Sequence, residues 1–287
     1  MTDASDTFAR SCAHWSEAGR AEMEAFYALA TLDYRELATV HPWRSWLEAQ
    51  QYQVGDRSLR LLDVACGSGK FPQALVHYAD VATAHLHPID YHLLDPSAFS
   101  LAEAARALTA PFVAGRTFET TLQDFAGPAG TYDIVWATHA LYALPAAELT
   151  AGLGRFVQAL RPGGVGFIAH AAEDAHYLRF YRQFLQAFHG GRGTPYTGAE
   201  AITAALADLG VAFEVRMIHY HNGASDAERS QVEGYLQRCV FDDRVSLVQM
   251  LEHPTTGAYL AECLQGGQWR FAQEVALIFI RPAGGEL

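Results

Sequence analysis

The sequence predicts an α/β fold, with seven strands in a mostly parallel sheet and helices on both of its faces. Short apolar runs alternate with amphipathic helical stretches from Leu59 to Ala169, as parallel strands joined by crossover helices require. The first run turns through Ala65-Cys66-Gly67-Ser68-Gly69 into a helix, and glycine-rich backbone at such a turn lets a ligand come close. Past residue 170 the repetition stops. A strand, a helical insertion and a long last strand follow, the pattern of an antiparallel pair closing a sheet edge.

Residues 1–50 read as a helical N-terminal segment. Met23, Phe26, Tyr27, Ala30 and Tyr34 share one helical face. His41-Pro42 breaks that helix, and Trp43, Trp46 and Leu47 begin another. Residues 51–170 form the core. Its strands are expected at Leu59–Val64, Tyr91–Leu94, Pro111–Val113, Tyr132–Ala137 and Val165–Ala169. Helices lie between them: Phe71, Ala74, Leu75 and Tyr78 mark one, Ala98, Leu101, Ala105 and Leu108 another, and Leu149, Leu153, Phe156, Val157 and Leu160 a third.

Residues 171–287 carry the remaining helices and the closing strands. Tyr177, Phe180, Tyr181, Phe184 and Phe188 make an aromatic helical stripe. Thr197-Gly198-Ala199-Glu200 has capping-box form, and Gly210 ends that helix. Phe213, Val215 and Met217 alternate with charged residues as in a strand, residues 226–264 read as mostly helical, and Phe271–Ile280 is the last strand.

The 287 residues suit one large domain or a core with an elaboration. A net charge of −12 without a Lys/Arg cluster argues against a nucleic-acid partner and for a small molecule. The four cysteines lie far apart with no CxxC pair, so neither a zinc site nor a disulfide framework is expected. His219 and His221 lack a further ligand, and no metal is expected there either. No apolar run approaches the ~20 residues of a membrane helix, and the first ten residues have no apolar stretch. No membrane partner and a cytoplasmic setting are therefore expected.

Three ligands compete for the glycine turn. A P-loop needs glycine where Val64 stands and Ser or Thr where Phe71 stands. A dinucleotide fingerprint wants a small residue at Pro72 for close helix packing. The third ligand is S-adenosylmethionine. Asp63-x-Ala65-x-Gly67-x-Gly69 resembles the first motif of the class I S-adenosylmethionine-dependent methyltransferases, D/E-x-G-x-G-x-G, with Ala65 in place of the first glycine. Asp95 ends the second strand, Leu122-Gln123-Asp124 holds the adenine-contact position, and Tyr132-Asp133-Ile134-Val135 resembles the fourth-strand motif. Leu160-Arg161-Pro162-Gly163-Gly164 resembles the loop before the fifth strand.

The resemblance implies a Rossmann-like core with S-adenosylmethionine as cofactor and S-adenosylhomocysteine as product. Asp63 would face the cofactor's amino end, Ala65, Gly67 and Gly69 would pass beneath it, and Asp95, with Ser97 beside it, would accept from the ribose hydroxyls. Gln123 and Asp124 would meet the adenine, and Thr138 would flank the cofactor.

From about Phe8 to Ile280 the layout is similar to the histamine N-methyltransferase family, carried by Phe8-x-Arg10, His14, Glu17, Leu141-Tyr142 and Phe271-Ala272-Gln273. That resemblance implies a small-molecule methyl acceptor. Glu17 takes the amine-binding position, His139 stands in place of a substrate-facing Gln, Gln273 in place of an Asn, and Tyr142, Tyr177 and Phe180 supply aromatic walls. His139 and Glu17 would orient the acceptor or take its proton. Read without the resemblance, Glu17 belongs to a solvated face, the 177–188 stripe to a core, and Gln273 to a strand that must supply its partners. The expected activity is N-methylation of an amine or imidazole-type metabolite. The alternatives are an O- or C-methyltransferase of an aromatic natural product and a non-methylating protein that keeps the cofactor.

Overall fold

The computed structural model describes residues 4–14, 20–83 and 85–281. The strands β1 (Arg60–Val64), β2 (Ile89–Asp95), β3 (Phe112–Glu119), β4 (Tyr132–Thr138) and β5 (Leu160–Ala171) pair in parallel. β6 (Ala212–Ser225) and β8 (Gln268–Arg281) add an antiparallel edge. The sheet order is β3-β2-β1-β4-β5-β8-β6. The chain's progression reverses between β1 and β4, and the crevice beyond the carboxyl ends of such strands is where ligands bind. The sheet has eight strands rather than the expected seven, because the two-residue β7 (Leu264–Gln265) pairs back onto the start of β8 across Gly266-Gly267.

Every residue of β4 is buried. Helices cover both faces of the parallel part, so these strands read as continuous apolar runs rather than alternating ones. On one face, Leu62, Val135 and Ile168 pack against Leu153 and Phe156 of α6 (Ala146–Ala159) and Ile202 of α8 (Ala199–Asp208). On the other, Tyr91, Trp136 and Phe167 meet α2 (Arg20–Val40), α3 (Trp43–Val54), α4 (Lys70–Tyr78) and α5 (Ala98–Ala107) through Leu37, Trp43, Phe71 and Leu101. A third cluster caps the carboxyl edge. It joins Leu29 and Ala30 of α2 to α7 (His176–Phe188), α9 (Arg229–Val240), α10 (Leu247–Glu252) and α11 (Pro254–Cys263). α2 thus belongs to both the sheet layer and the cap, and passes the ligand edge between them. Ahead of it, α1 (Ala4–His14) is tied to α7: Thr7 Oγ1 lies 2.9 Å from the Tyr181 hydroxyl, and Arg10 donates to that hydroxyl at 2.7 Å.

Four local expectations change. β3 runs over Phe112–Glu119, beyond the expected Pro111–Val113. β6 and β8 pair over their full fourteen residues, well beyond Phe213–Met217 and Phe271–Ile280. The polar run His219–Gly223 conceals the extension: His219 and His221 stay exposed, while Asn222 turns in to the helical cap. β5 starts at Leu160, since Arg161–Gly164 forms an irregular stretch in its pairing with β4 and not a separate turn. Asp133 at that irregularity is an internal clamp, accepting from Arg57, Arg161 and the Arg60 N–H. Thr197-Gly198-Ala199-Glu200 is no capping box. Gly198 is the N-cap of α8, Thr197 donates to the Leu144 carbonyl, and Glu200 accepts from the Glu173 N–H.

Candidate functional site

The turn after β1 is held by its neighbour strand. The Cys66 N–H donates to the Leu94 carbonyl at 3.1 Å, and the Gly69 N–H closes back onto Cys66 at 3.0 Å. Ala65, Gly67 and Gly69 all have positive φ, at 50°, 51° and 71°. Such values suit glycine, while Ala65 adopts one at a cost of about 1–2 kcal/mol. At Gly69 an added Cβ would stand 3.2 Å from the Ala104 Cα, so glycine lets α4 and α5 approach. At Gly67 it would meet only the Tyr27 hydroxyl, at 3.8 Å, so the space beside this backbone is open to a ligand.

Asp95 ends β2 beside this turn and is 6% exposed. Its Oδ2 accepts from the Gly67 N–H at 3.0 Å and its Oδ1 from the Ser97 N–H at 2.9 Å. Each oxygen keeps further accepting capacity, enough for two hydroxyl donors. Burial raises its carboxyl to about 6, against the pull of the two N–H groups. Ser97 in turn caps α5 by accepting from Ser100 N. Asp63, 2% exposed, accepts from the Tyr91 hydroxyl at 2.6 Å, and burial pushes it up to about 7.

These residues line a cleft enclosing about 1030 Å³ with its mouth included. Gln123, Leu122 and Thr121 line it as well, together with Thr138, His139 and, from α1, Phe8, Ser11 and Cys12. Paired acceptors at one place and bare backbone at another fit a nucleoside with a cationic tail.

A second chamber of about 620 Å³ adjoins the cleft. Ser11, Tyr34, His139, Ala140 and Ala143 line both. Its walls are Phe26, Tyr142, Tyr177, Tyr196 and Phe241, with Asp33, Arg238 and Cys239 among them. His139 marks the junction, held at φ 52° at the end of β4, with its N–H bonded to the Ala169 carbonyl. Its Nδ1 lies 2.7 Å from the Tyr142 hydroxyl, and its buried Nε2 has no partner. Burial lowers its pKa to about 4, so the imidazole is neutral at physiological pH.

The structure brings together most of the residues expected from the sequence, and it separates others. Asp63, Ala65, Gly67, Asp95, Ser97, Gln123 and Thr138 line the cleft, and Gly69 supports it from beneath. Asp124 does not: it is exposed, and its carboxylate accepts from Thr121 at 2.9 Å. His139, Tyr142 and Tyr177 line the second chamber. Phe180 is fully buried against His176 and Tyr259, and Gln273 stands behind the wall, donating to Tyr235 at 3.3 Å. Glu17 lies outside the described residues.

Asp33 and Tyr196 were not anticipated. Asp33 follows the apolar face of α2 by a single residue before Tyr34, and an acid there reads as helix surface. Only its convergence with Tyr177 and Asn222, far along the chain, reveals it. Among the described residues no cluster of three or more His, Cys, Asp or Glu is placed to hold a metal ion, and no helix is long and apolar enough to cross a membrane.

Residues 62–165 match the family model of a methyltransferase domain. Among solved structures, the YcgJ protein of Bacillus subtilis is similar at 13% identity and a TM-score of 0.52, over 79% of this chain and 93% of that one. The magnesium protoporphyrin IX methyltransferase of Synechocystis PCC 6803 is similar both with S-adenosylhomocysteine bound, at 14% identity and a TM-score of 0.53, and with S-adenosylmethionine bound, at 13% and 0.51. Each of the two covers 96% of this chain, and 99% and 97% of the other respectively. At such identities the likeness is one of fold. No curated protein matches the sequence.

Proposed function

We propose that this chain methylates a nitrogen of a small amine or imidazole-type metabolite. It is a methyltransferase, and its methyl donor is S-adenosylmethionine. The cleft fits that cofactor: Asp95 retains lone pairs for two ribose hydroxyls, the Gly67 backbone leaves room above it, and Asp63 offers a buried carboxylate to the ammonium group. Gln123 and Leu122 stand where the resemblance puts the adenine.

The observation that carries the acceptor reading is the meeting of cleft and aromatic chamber at His139. When bound, the cofactor would supply an electrophilic methyl on sulfonium sulfur; an acceptor lone pair would attack that methyl in line as its carbon–sulfur bond breaks and S-adenosylhomocysteine leaves. The chain's part is alignment and exclusion of water. Tyr34 and His139 narrow the passage, their rings edge-on at 5.9 Å. Neutral His139, its Nδ1 engaged by Tyr142, keeps Nε2 for the acceptor. With Nε2 unprotonated it accepts the acceptor's N–H, orients the lone pair and takes the proton released on methylation. A nitrogen acceptor is favoured because its N–H can be given to that ring nitrogen while its lone pair faces the methyl.

The test is methyl transfer from isotopically labelled S-adenosylmethionine to matched panels of imidazoles, primary amines, phenols and carbon acids. Label is expected on nitrogen. Label confined to oxygen or carbon would overturn the nitrogen assignment.

A further inference from the structure

Asp33 lies in the wall of the aromatic chamber and has no part in the steps above. It is 2% exposed. Its Oδ2 accepts from the Tyr177 hydroxyl at 2.5 Å and its Oδ1 from Asn222 Nδ2 at 2.9 Å. It forms no ion pair among the described residues. Arg238 lines the same chamber without pairing to it, and has interactions of its own. Behind Asp33 the surroundings are rich in acceptors: Asn222, fully buried, leaves Oδ1 unpartnered, and Gln273, 2% exposed, leaves Oε1 unpartnered. Their N–H groups already serve Asp33, Tyr177 and Tyr235. A buried carboxylate backed by unpaired carbonyl oxygens gives this part of the wall a negative potential, and among the described residues no cation pairs with it. Burial accordingly raises the Asp33 carboxyl to about 6. The walls beside it, Phe26, Tyr142, Tyr177 and Tyr196, present the ring faces that attract cations.

We infer that Asp33 is the specificity-determining residue of the acceptor chamber, anchoring a protonated amine while a second, neutral nitrogen of the same molecule reaches the passage at His139. The inference rests on the methyl-transfer reading of the adjoining cleft. It narrows the acceptor to a monocation with its charge at the end away from the reacting atom. It also assigns different nitrogens to the two tasks, since the protonated one has no lone pair to methylate.

The full chain, saturated with S-adenosylhomocysteine, is titrated calorimetrically at neutral pH with three probes that share an imidazole ring. One carries an aminoalkyl chain, one a plain alkyl chain and one a carboxyalkyl chain. The aminoalkyl probe is expected to bind about ten- to a hundredfold more tightly than the alkyl probe, as a charge-assisted hydrogen bond provides. Asp33→Asn is expected to erase that advantage and leave the alkyl probe unchanged. The variant keeps its network, because Asn222 can turn its unpartnered Oδ1 toward the new amide. Equal binding of the amine and alkyl probes to the unaltered chain, tighter binding of the carboxylate, or an amine preference that survives Asp33→Asn would overturn the inference. Failure of the chain to bind S-adenosylhomocysteine would instead overturn the reading of the cleft.

Discussion

Asp95→Ala separates what the cleft costs the empty protein from what it gives the cofactor. The carboxyl is raised from 3.8 to about 6 by burial. Holding it ionised at pH 7 therefore costs about 3 kcal/mol, at 1.36 kcal/mol per pKa unit. Against this, alanine leaves the N–H groups of Gly67 and Ser97 without their acceptor, a loss of about 1 kcal/mol each. The two effects nearly cancel, so the stability of the empty protein in urea should change by about 1 kcal/mol or less. Cofactor affinity should not be spared. Two ribose hydroxyls lose a charged acceptor, which weakens binding by about 1–3 kcal/mol, roughly five- to a hundredfold. Calorimetric titration with S-adenosylhomocysteine and urea unfolding of the same variant give both numbers. Unchanged affinity would refute the ribose role, and a loss of several kcal/mol in stability with affinity intact would make Asp95 a purely structural residue.

Three further outcomes are expected. Asp33, Asp63 and Asp95 have carboxyls raised to about 6, 7 and 6. Each therefore binds its proton more tightly in the folded state and by itself lowers stability as pH rises from about 4 to 7, while buried His41, His139, His170 and His176, their pKa values lowered, act in the opposite sense; Asp63→Asn should therefore make the stability of the empty protein in urea rise more steeply with pH across that window, and an unchanged pH dependence would contradict the burial shift. His139→Asn tolerates the positive φ of that position and should slow methyl transfer about a hundredfold while leaving S-adenosylhomocysteine affinity within about twofold; an equal loss of both would make His139 a cofactor ligand only. Asp133→Ala removes the acceptor shared by Arg57 and Arg161 and should destabilise the fold by about 3 kcal/mol, measured by urea unfolding, without changing cofactor affinity.

The parallel core was legible because burial on both faces leaves a simple record. β1 and β4 are nearly continuous apolar runs, and the turn between β1 and α4 needs glycines at fixed places. Asp63, Gly67 and Asp95 lie at that turn and at the end of β2, where local motifs carry the resemblance, and they line one cleft. The second chamber was harder to read. It is assembled from α2, the end of β4, α7, α9 and the chain around Tyr196, and no local spacing reports their convergence. Phe180 and Tyr177 share a helical stripe, yet three residues of helix put one in the core and the other at the chamber. Asn222 was hidden in a polar run that reads as the end of a strand. It is buried because β6 continues past the parallel sheet into the helical cap.

The most direct measurement of the central claim is a calorimetric comparison of S-adenosylhomocysteine with a reduced nicotinamide dinucleotide on the unaltered chain. Saturable binding of the sulfur nucleoside, and none of the dinucleotide, is the predicted result. Heat from the dinucleotide alone, or from neither, would contradict the account.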